Sequence, residues 1–112
     1  MNLKPVVFMR RTRRSIKRFP LEARKDVGWQ LRAVQAGEDP ADWKPMSTVG
    51  AGAKEIRIHG LSEYRILYVA HFPEAIYVLH AFGKSSQRTP QRDIQLARDA
   101  YAEIQTLRQA RE

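Results

Sequence analysis

AKEIRIHGLSEYRILYVAHFPEAIYVLHAF, residues 53–82, is the stretch that decides the fold. Ala53 to His59 alternates, with Ile56 and Ile58 on one side and Glu55, Arg57 and His59 on the other, which is the period of a strand. Tyr64 to Phe72 and Ala75 to Phe82 are nearly continuous apolar runs rich in β-formers. Gly60-Leu61-Ser62-Glu63 and Pro73-Glu74 between them are short enough that both connections read as antiparallel hairpins. Strands apolar on both sides need a cover on each, from this chain or from a partner.

Outward from this block, the chain offers helices to supply that cover. Leu3 to Met9 reads as a first strand, and Arg10 to Phe19 as a helix with Thr12, Ile16 and Phe19 on one stripe. Pro20 closes that helix and opens the next, from about Leu21 to Ala36, whose buried stripe is Ala23, Val27, Leu31 and Val34. Gly37 is its stop. The stretch 37–52 is full of turn residues and reads as a packed connection that holds Trp43, with Gly50 and Gly52 lending backbone freedom before the strand at 53. Thr89-Pro90 reads as the cap and first residue of a C-terminal helix to about Arg108, with Ile94, Ala97, Tyr101 and Ile104 inward. The order is β-α-α-β-β-β-α. It is an α+β domain spanning 1–112, a small antiparallel-rich sheet packed with an N-terminal helical hairpin and a C-terminal helix.

Composition narrows the function. The 112 residues contain no cysteine, which removes disulfide scaffolds, thiol nucleophiles and Cys-ligated zinc. No apolar run nears the roughly 20 residues that span a bilayer, and the apolar core of MNLKPVVFMRR is too short for a signal peptide, so a cytoplasmic protein with no membrane partner is expected. The net charge is +8, and it is lopsided: residues 1–37 hold ten bases and two acids, residues 38–112 ten of each. Such a field suits a polyanion, either nucleic acid or an acidic protein.

No P-loop, GxSxG or HExxH is present, and His59, His71 and His80 lack metal-ligand spacing, so neither metal nor cofactor is expected. What remains is a set of cations on or beside the strands: Lys54, Arg57, Arg65 and Lys84. The hairpin draws Arg57 towards Arg65, and two converging guanidinium groups suit phosphate geometry, though a cross-strand salt bridge with Glu55 reads equally well. His80 lies in an apolar strand, on the same side as Ile76, Val78 and Phe82, as a satisfied core residue or a proton-transfer group. Tyr64, Tyr68 and Tyr77 read as core. Trp29 lies off the main stripe of its helix and can mark an interface.

The segments GEDPADWKPMSTVGAGAKEIRI (37–58), YRILYVA (64–70) and AIYVLHAFGKSSQRTPQRDIQLARDAY (75–101) closely resemble the phage-derived, HigB-like branch of the RelE/ParE toxin superfamily. The ordered set WKPM, EIR, YR and VLHAFGK, followed by Thr-Pro and a helix, carries the likeness. The resemblance implies a RelE-like fold and the toxin of a type II toxin–antitoxin pair. Relatives of the message-cleaving kind act in the ribosomal decoding site without a metal: the ribose 2′-OH attacks the neighbouring phosphate, leaving a cyclic phosphate and a free 5′-OH. Carried over by position, Arg57, Arg65 and Lys84 would be catalytic, with Lys84, Lys54 or His80, or a group on the ribosome or message, moving protons. Arg10, Arg11, Arg13, Arg14, Lys17, Lys54 and Arg88 would bind RNA phosphates. The chain also departs from the pattern: Glu55 stands where relatives carry a second base, Ser85 follows Lys84, and Gln91 lies near the place of a tyrosine.

The expected partners are a small helix-turn-helix antitoxin, the ribosome and mRNA, with DNA reached only through the antitoxin. The same resemblance admits a ParE-like topoisomerase inhibitor. A third reading is a phage-derived adaptor that binds nucleic acid or protein without catalysis.

Overall fold

Burial on both sides explains why residues 64–69 carry almost no polar side chain. The computed structural model, which describes residues 3–84 and 88–111, makes them the middle of a five-stranded sheet. The elements are β1 (Val6–Phe8), α1 (Thr12–Lys17), α2 (Leu21–Gln35), β2 (Trp43–Pro45), β3 (Ala53–Ile58), β4 (Glu63–Val69), β5 (Ile76–Lys84) and α3 (Gln91–Ala110). The strand order is β1-β5-β4-β3-β2, with β1 parallel to β5 and every other pair antiparallel. Both expected hairpins are present, β3–β4 and β4–β5, and the α+β class stands.

Both covers come from the chain itself. On one face Ile56, Ile58, Ile66, Tyr68, Ile76 and Val78 pack against Phe19 and against Val27, Leu31 and Val34 of α2. On the other, Ala53, Leu67, Val69, Tyr77 and Leu79 pack against Ala97, Ala100, Tyr101 and Ile104 of α3. We call these the α2 face and the α3 face. Tyr68 is pushed well above the usual phenol range, first by burial, as its place in the core requires.

The ends of the elements follow local chemistry. Gly37, at φ +86°, closes α2: its N–H bonds Val34 O while Glu38 N–H bonds Ala33 O, the double bond of a Schellman motif. Gly52 sits at φ +77° before β3, so the backbone freedom expected there is used. Gly50 is needed for space, because a Cβ there would lie 2.7 Å from the buried ring of Tyr101, whose hydroxyl donates to Ala51 O at 2.7 Å.

Four expectations are corrected. The helix read from Arg10 begins at Thr12; Arg10 is in the turn before it, at φ +51°, with its guanidinium held by Glu103 of α3. Trp43 lies in a strand: β2 pairs with the edge of β3, where Pro45 is tolerated. Thr89 does not cap α3. Finally, His80 is not on the face of Ile76 and Val78. Leu67 faces His80 while Tyr68 faces Val78, so Leu79 is an extra residue in β5, and this bulge turns His80 to the α3 face.

Candidate functional site

At the ends of β3, β4 and β5 the α3 face changes from apolar to charged. Alternation puts Glu55 and Arg57 of β3 on this face, with Glu63 and Arg65 of β4 and Lys84 of β5. Arg57 and Arg65 are directly opposite, and Glu63 is opposite Lys84. Two guanidinium groups at one cross-strand step repel unless carboxylates stand nearby. They do. Arg57 Nη1 is 3.7 Å from Asp42 Oδ1, and Arg65 lies 3.4 Å from Glu55 and 3.6 Å from Glu63.

Glu55 is the centre of this arrangement. Its side chain is wholly buried, yet it is ionisable, so its surroundings must answer for it. Thr89 Oγ1 donates to its Oε2 at 2.6 Å, and Lys44 Nζ is 3.8 Å from its Oε1. The contact with Arg65 is one of charges rather than an aligned bond, since neither Arg65 Nε nor Glu55 Oε1 has a hydrogen-bond partner. The hydroxyl expected to cap α3 is thus spent on tying the segment before that helix to β3.

Lys84 is buried at the same end. Burial lowers its pKa below the ordinary lysine value; Arg65, Lys44 and Arg57 push the same way, and only Glu55 opposes them. The expected repulsion among the cations is therefore present, but desolvation is the larger cause. His59 bridges two of the carboxylates: Nδ1 lies 2.8 Å from Glu63 and Nε2 2.5 Å from Asp42. Those hydrogen bonds, Asp42's first, raise its pKa above 6.5.

The other site residues are more scattered. His80 Nε2 meets Asp93 Oδ1 at 2.7 Å, and its ring stacks on Phe82, with centroids 5.3 Å apart. Lys54 points from the α2 face, 3.2 Å from Asp39 and over the ring of Trp43, so it does not join Arg57 and Arg65. Arg10, Arg11, Arg13, Arg14 and Lys17 form an exposed basic patch at the β1–α1 turn and along α1, with Arg13 over the Phe8 ring. Arg88 is exposed and shares with Lys44 and Gln91 a groove of about 600 Å³ beside Thr89. Ser85 lies outside the described residues. Among the described residues no three His, Asp or Glu side chains are grouped to hold a metal ion, and no helix is long and apolar enough to cross a membrane.

Residues 14–102 match the family model described as Phage derived protein Gp49-like (DUF891). The chain belongs to this family. It is a family of RelE/Gp49-type toxins, consistent with the superfamily that the sequence resembles. No curated protein matches the chain. In this Gp49-like chain, three residues of the charged end escape a sequence reading, Lys44, Asp42 and His59, and Glu55 is legible there as a salt-bridge partner but not as a buried anchor. A usable signal exists for Glu55, since it shares a face with Arg57 and is diagonal to Arg65. For Lys44 and Asp42 the signal depends on recognising β2.

Proposed function

We propose that this chain is the toxin of a type II toxin–antitoxin pair, on the HigB-like branch, and that it cleaves mRNA on the ribosome. The observation that carries the reading is the direct opposition of Arg57 and Arg65 across β3 and β4, with Lys84 on the same face. In the reaction the ribose O2′ bonds to phosphorus, the P–O5′ bond breaks, and the phosphorane between them carries an extra negative charge. Arg57, which is partly exposed, contacts the phosphate, and Arg65 is held beside it by Glu55. Charge aimed at the phosphorane lowers the barrier more than it tightens ground-state binding.

Lys84 is the base for O2′, supported by the downward direction of its pKa. His80, hydrogen-bonded to Asp93, returns a proton to O5′. The α1 patch engages ribosomal RNA through phosphates, which gives affinity rather than sequence choice. The setting is the cytoplasm, and the protein needs no cofactor. Its silencing partner is a helix-turn-helix antitoxin, through which alone it reaches DNA.

One observation favours a second reading. Glu55 offsets part of the positive charge where relatives carry a base, which suits a ParE-like inhibitor that binds a topoisomerase without cutting RNA. Inducing the protein alone in cells and mapping message ends separates the two. Breaks within translated regions support the first reading. DNA damage with intact messages overturns it in favour of the second, and unimpaired growth overturns both.

A further inference from the structure

The outer side of α2 carries a stripe that the fold does not use. Leu21, Lys25, Gly28, Trp29 and Arg32 recur there at helical spacing, all exposed, while Val27, Leu31 and Val34 pack on the strands. Trp29 is 75% exposed and Leu21 55%. Lys25, Gly28, Trp29 and Arg32 line a shallow groove of about 480 Å³.

Gly28 is an independent sign that the stripe has an occupant. Glycine weakens the interior of a helix relative to almost any other residue, so a mid-helix glycine needs a reason. Its φ is not positive, and a Cβ there would meet nothing within 4 Å. Neither the backbone nor packing within the chain asks for it. A missing side chain beside an exposed indole lets a second backbone come close to the helix.

The charges decide what kind of occupant fits. Arg24 and Arg32 pair with no carboxylate among the described residues, and Lys25 meets Glu22 at 3.9 Å. A second copy of α2 crossing at Gly28 would set Arg24 and Lys25 of one copy against Arg32 of the other, which repels. A nucleic-acid strand would stack on Trp29 but gain nothing from Leu21 or from the space at Gly28. From Leu21 to Trp29 the stripe runs about 12 Å, roughly two turns of a facing helix. Apolar side chains flanked by unneutralised cations match a helix whose own apolar stripe is flanked by carboxylates.

We infer that the outer face of α2 docks an acidic amphipathic helix of a partner protein. Trp29 is the anchor, and Asp or Glu side chains of the partner lie on Lys25 and Arg32. This face is on the opposite side of the sheet from Arg57, Arg65 and Lys84, so the partner holds the chain and leaves the charged end open. The inference therefore stands whether or not the chain cuts RNA.

The test is an NMR titration of the full chain with a stapled helical peptide that has leucines on one stripe and glutamates on both sides of it. The Trp29 indole N–H should move saturably, while that of Trp43, which lies under the Lys54 ammonium, stays in place. The same peptide with lysines for glutamates should not bind. Trp29→Ala should weaken binding at least tenfold, and Arg32→Glu about tenfold. Arg98→Glu, on the exposed side of α3, should leave it unchanged.

Gly28→Gln separates docking from folding, because glutamine favours the helix and fills the groove. It should melt no lower than wild type and bind the acidic peptide at least tenfold more weakly. If the acidic peptide leaves Trp29 in place, if both peptides bind alike, or if Gly28→Gln binds as wild type does, the inference is overturned. A single-stranded oligouridylate that moves Trp29 where the acidic peptide does not would overturn it in favour of a base-stacking platform. Self-association in sedimentation that Trp29→Ala abolishes would overturn it in favour of a second copy.

Discussion

The two faces of the sheet are built from the same three strands and end differently. The α2 face is apolar from Ile56 and Ile58 through Ile66 and Tyr68 to Ile76 and Val78, with Lys54 its one charged side chain in these strands, at the start of β3. The α3 face is apolar only under α3 and becomes charged at Glu55, Arg57, Glu63, Arg65 and Lys84. Apolar burial across a whole face yields stability and little else. A face that stops being apolar part-way along holds charges in a fixed frame, where their geometry is set by strand register rather than by mobile loops.

The comparison breaks most cleanly with paired substitutions. Arg57→Ala, Arg65→Ala and Lys84→Ala should each lower message cleavage on the order of 10²–10³-fold while leaving ribosome binding intact. Ile66→Ala, on the α2 face, should cost about 2–5 kcal/mol of stability and leave cleavage per folded molecule unchanged. Cleavage assays on purified ribosomes, alongside thermal melts, read both. Arg65→Lys is the sharper form, since it keeps the charge and loses the planar fork, and it should still impair cleavage. Normal cleavage by all three alanine variants would show that this end of the sheet is not the active site.

Glu55→Gln tests how the charged end is held. Glutamine still accepts from Thr89 but leaves Arg65 and Lys44 facing a neutral group. We expect a stability loss of about 1–3 kcal/mol in denaturant unfolding. The charge of Glu55 raises the Lys84 pKa against burial and against Arg65, so its removal lowers that pKa further. If Lys84 is the base, cleavage rises with pH through the Lys84 pKa, and this rising limb moves to lower pH in the variant. A limb that stays in place assigns the base elsewhere.

Most of the frame is legible in the sequence because it rests on period and turn chemistry. The alternation at 53–58 and the four-residue connection to Tyr64 are enough to bring Arg57 beside Arg65. Three things are not legible, each for a physical reason. The bulge at Leu79 is one residue in an apolar run, where either phase looks equally buried, so period alone puts His80 on the wrong face. A three-residue strand closed by Pro45 carries no period. Glu55 reads as a solvated residue or a cross-strand salt-bridge partner, and its burial is not legible because Thr89, which bonds it, comes from far along the chain.

Salt dependence sharpens a different contrast, between the lopsided N-terminal charge and the balanced remainder. Ribosome association should weaken steeply with salt. Replacing Arg13, Arg14 and Lys17 with Gln should reduce the slope of log affinity against log salt by roughly 0.7–0.9 for each phosphate that is no longer neutralised. Arg13 also covers the Phe8 ring, so a small stability loss accompanies its replacement. An unchanged slope would move the ribosome-binding charge off α1.

The smallest effect is expected at His59, and it too separates the faces. His59 is over half exposed, but Asp42 and Glu63 hydrogen-bond its charged form and raise its pKa above 6.5. A raised folded-state pKa means that the folded chain binds the proton more tightly than the unfolded one. The stabilisation is therefore complete below about 6.5 and lost as pH rises through the folded-state value. In melts across pH, wild type should exceed His59→Gln by a small margin in acid, and the margin should vanish at alkaline pH. The same loss of charge leaves Asp42 facing Arg57 and Glu63 facing Arg65. Ile66 is apolar and packs among apolar side chains, so Ile66→Ala should lower the melting temperature equally on both sides of the transition. A His59→Gln margin that does not change with pH would show that the bridge acts as a neutral hydrogen bond, not as a charge.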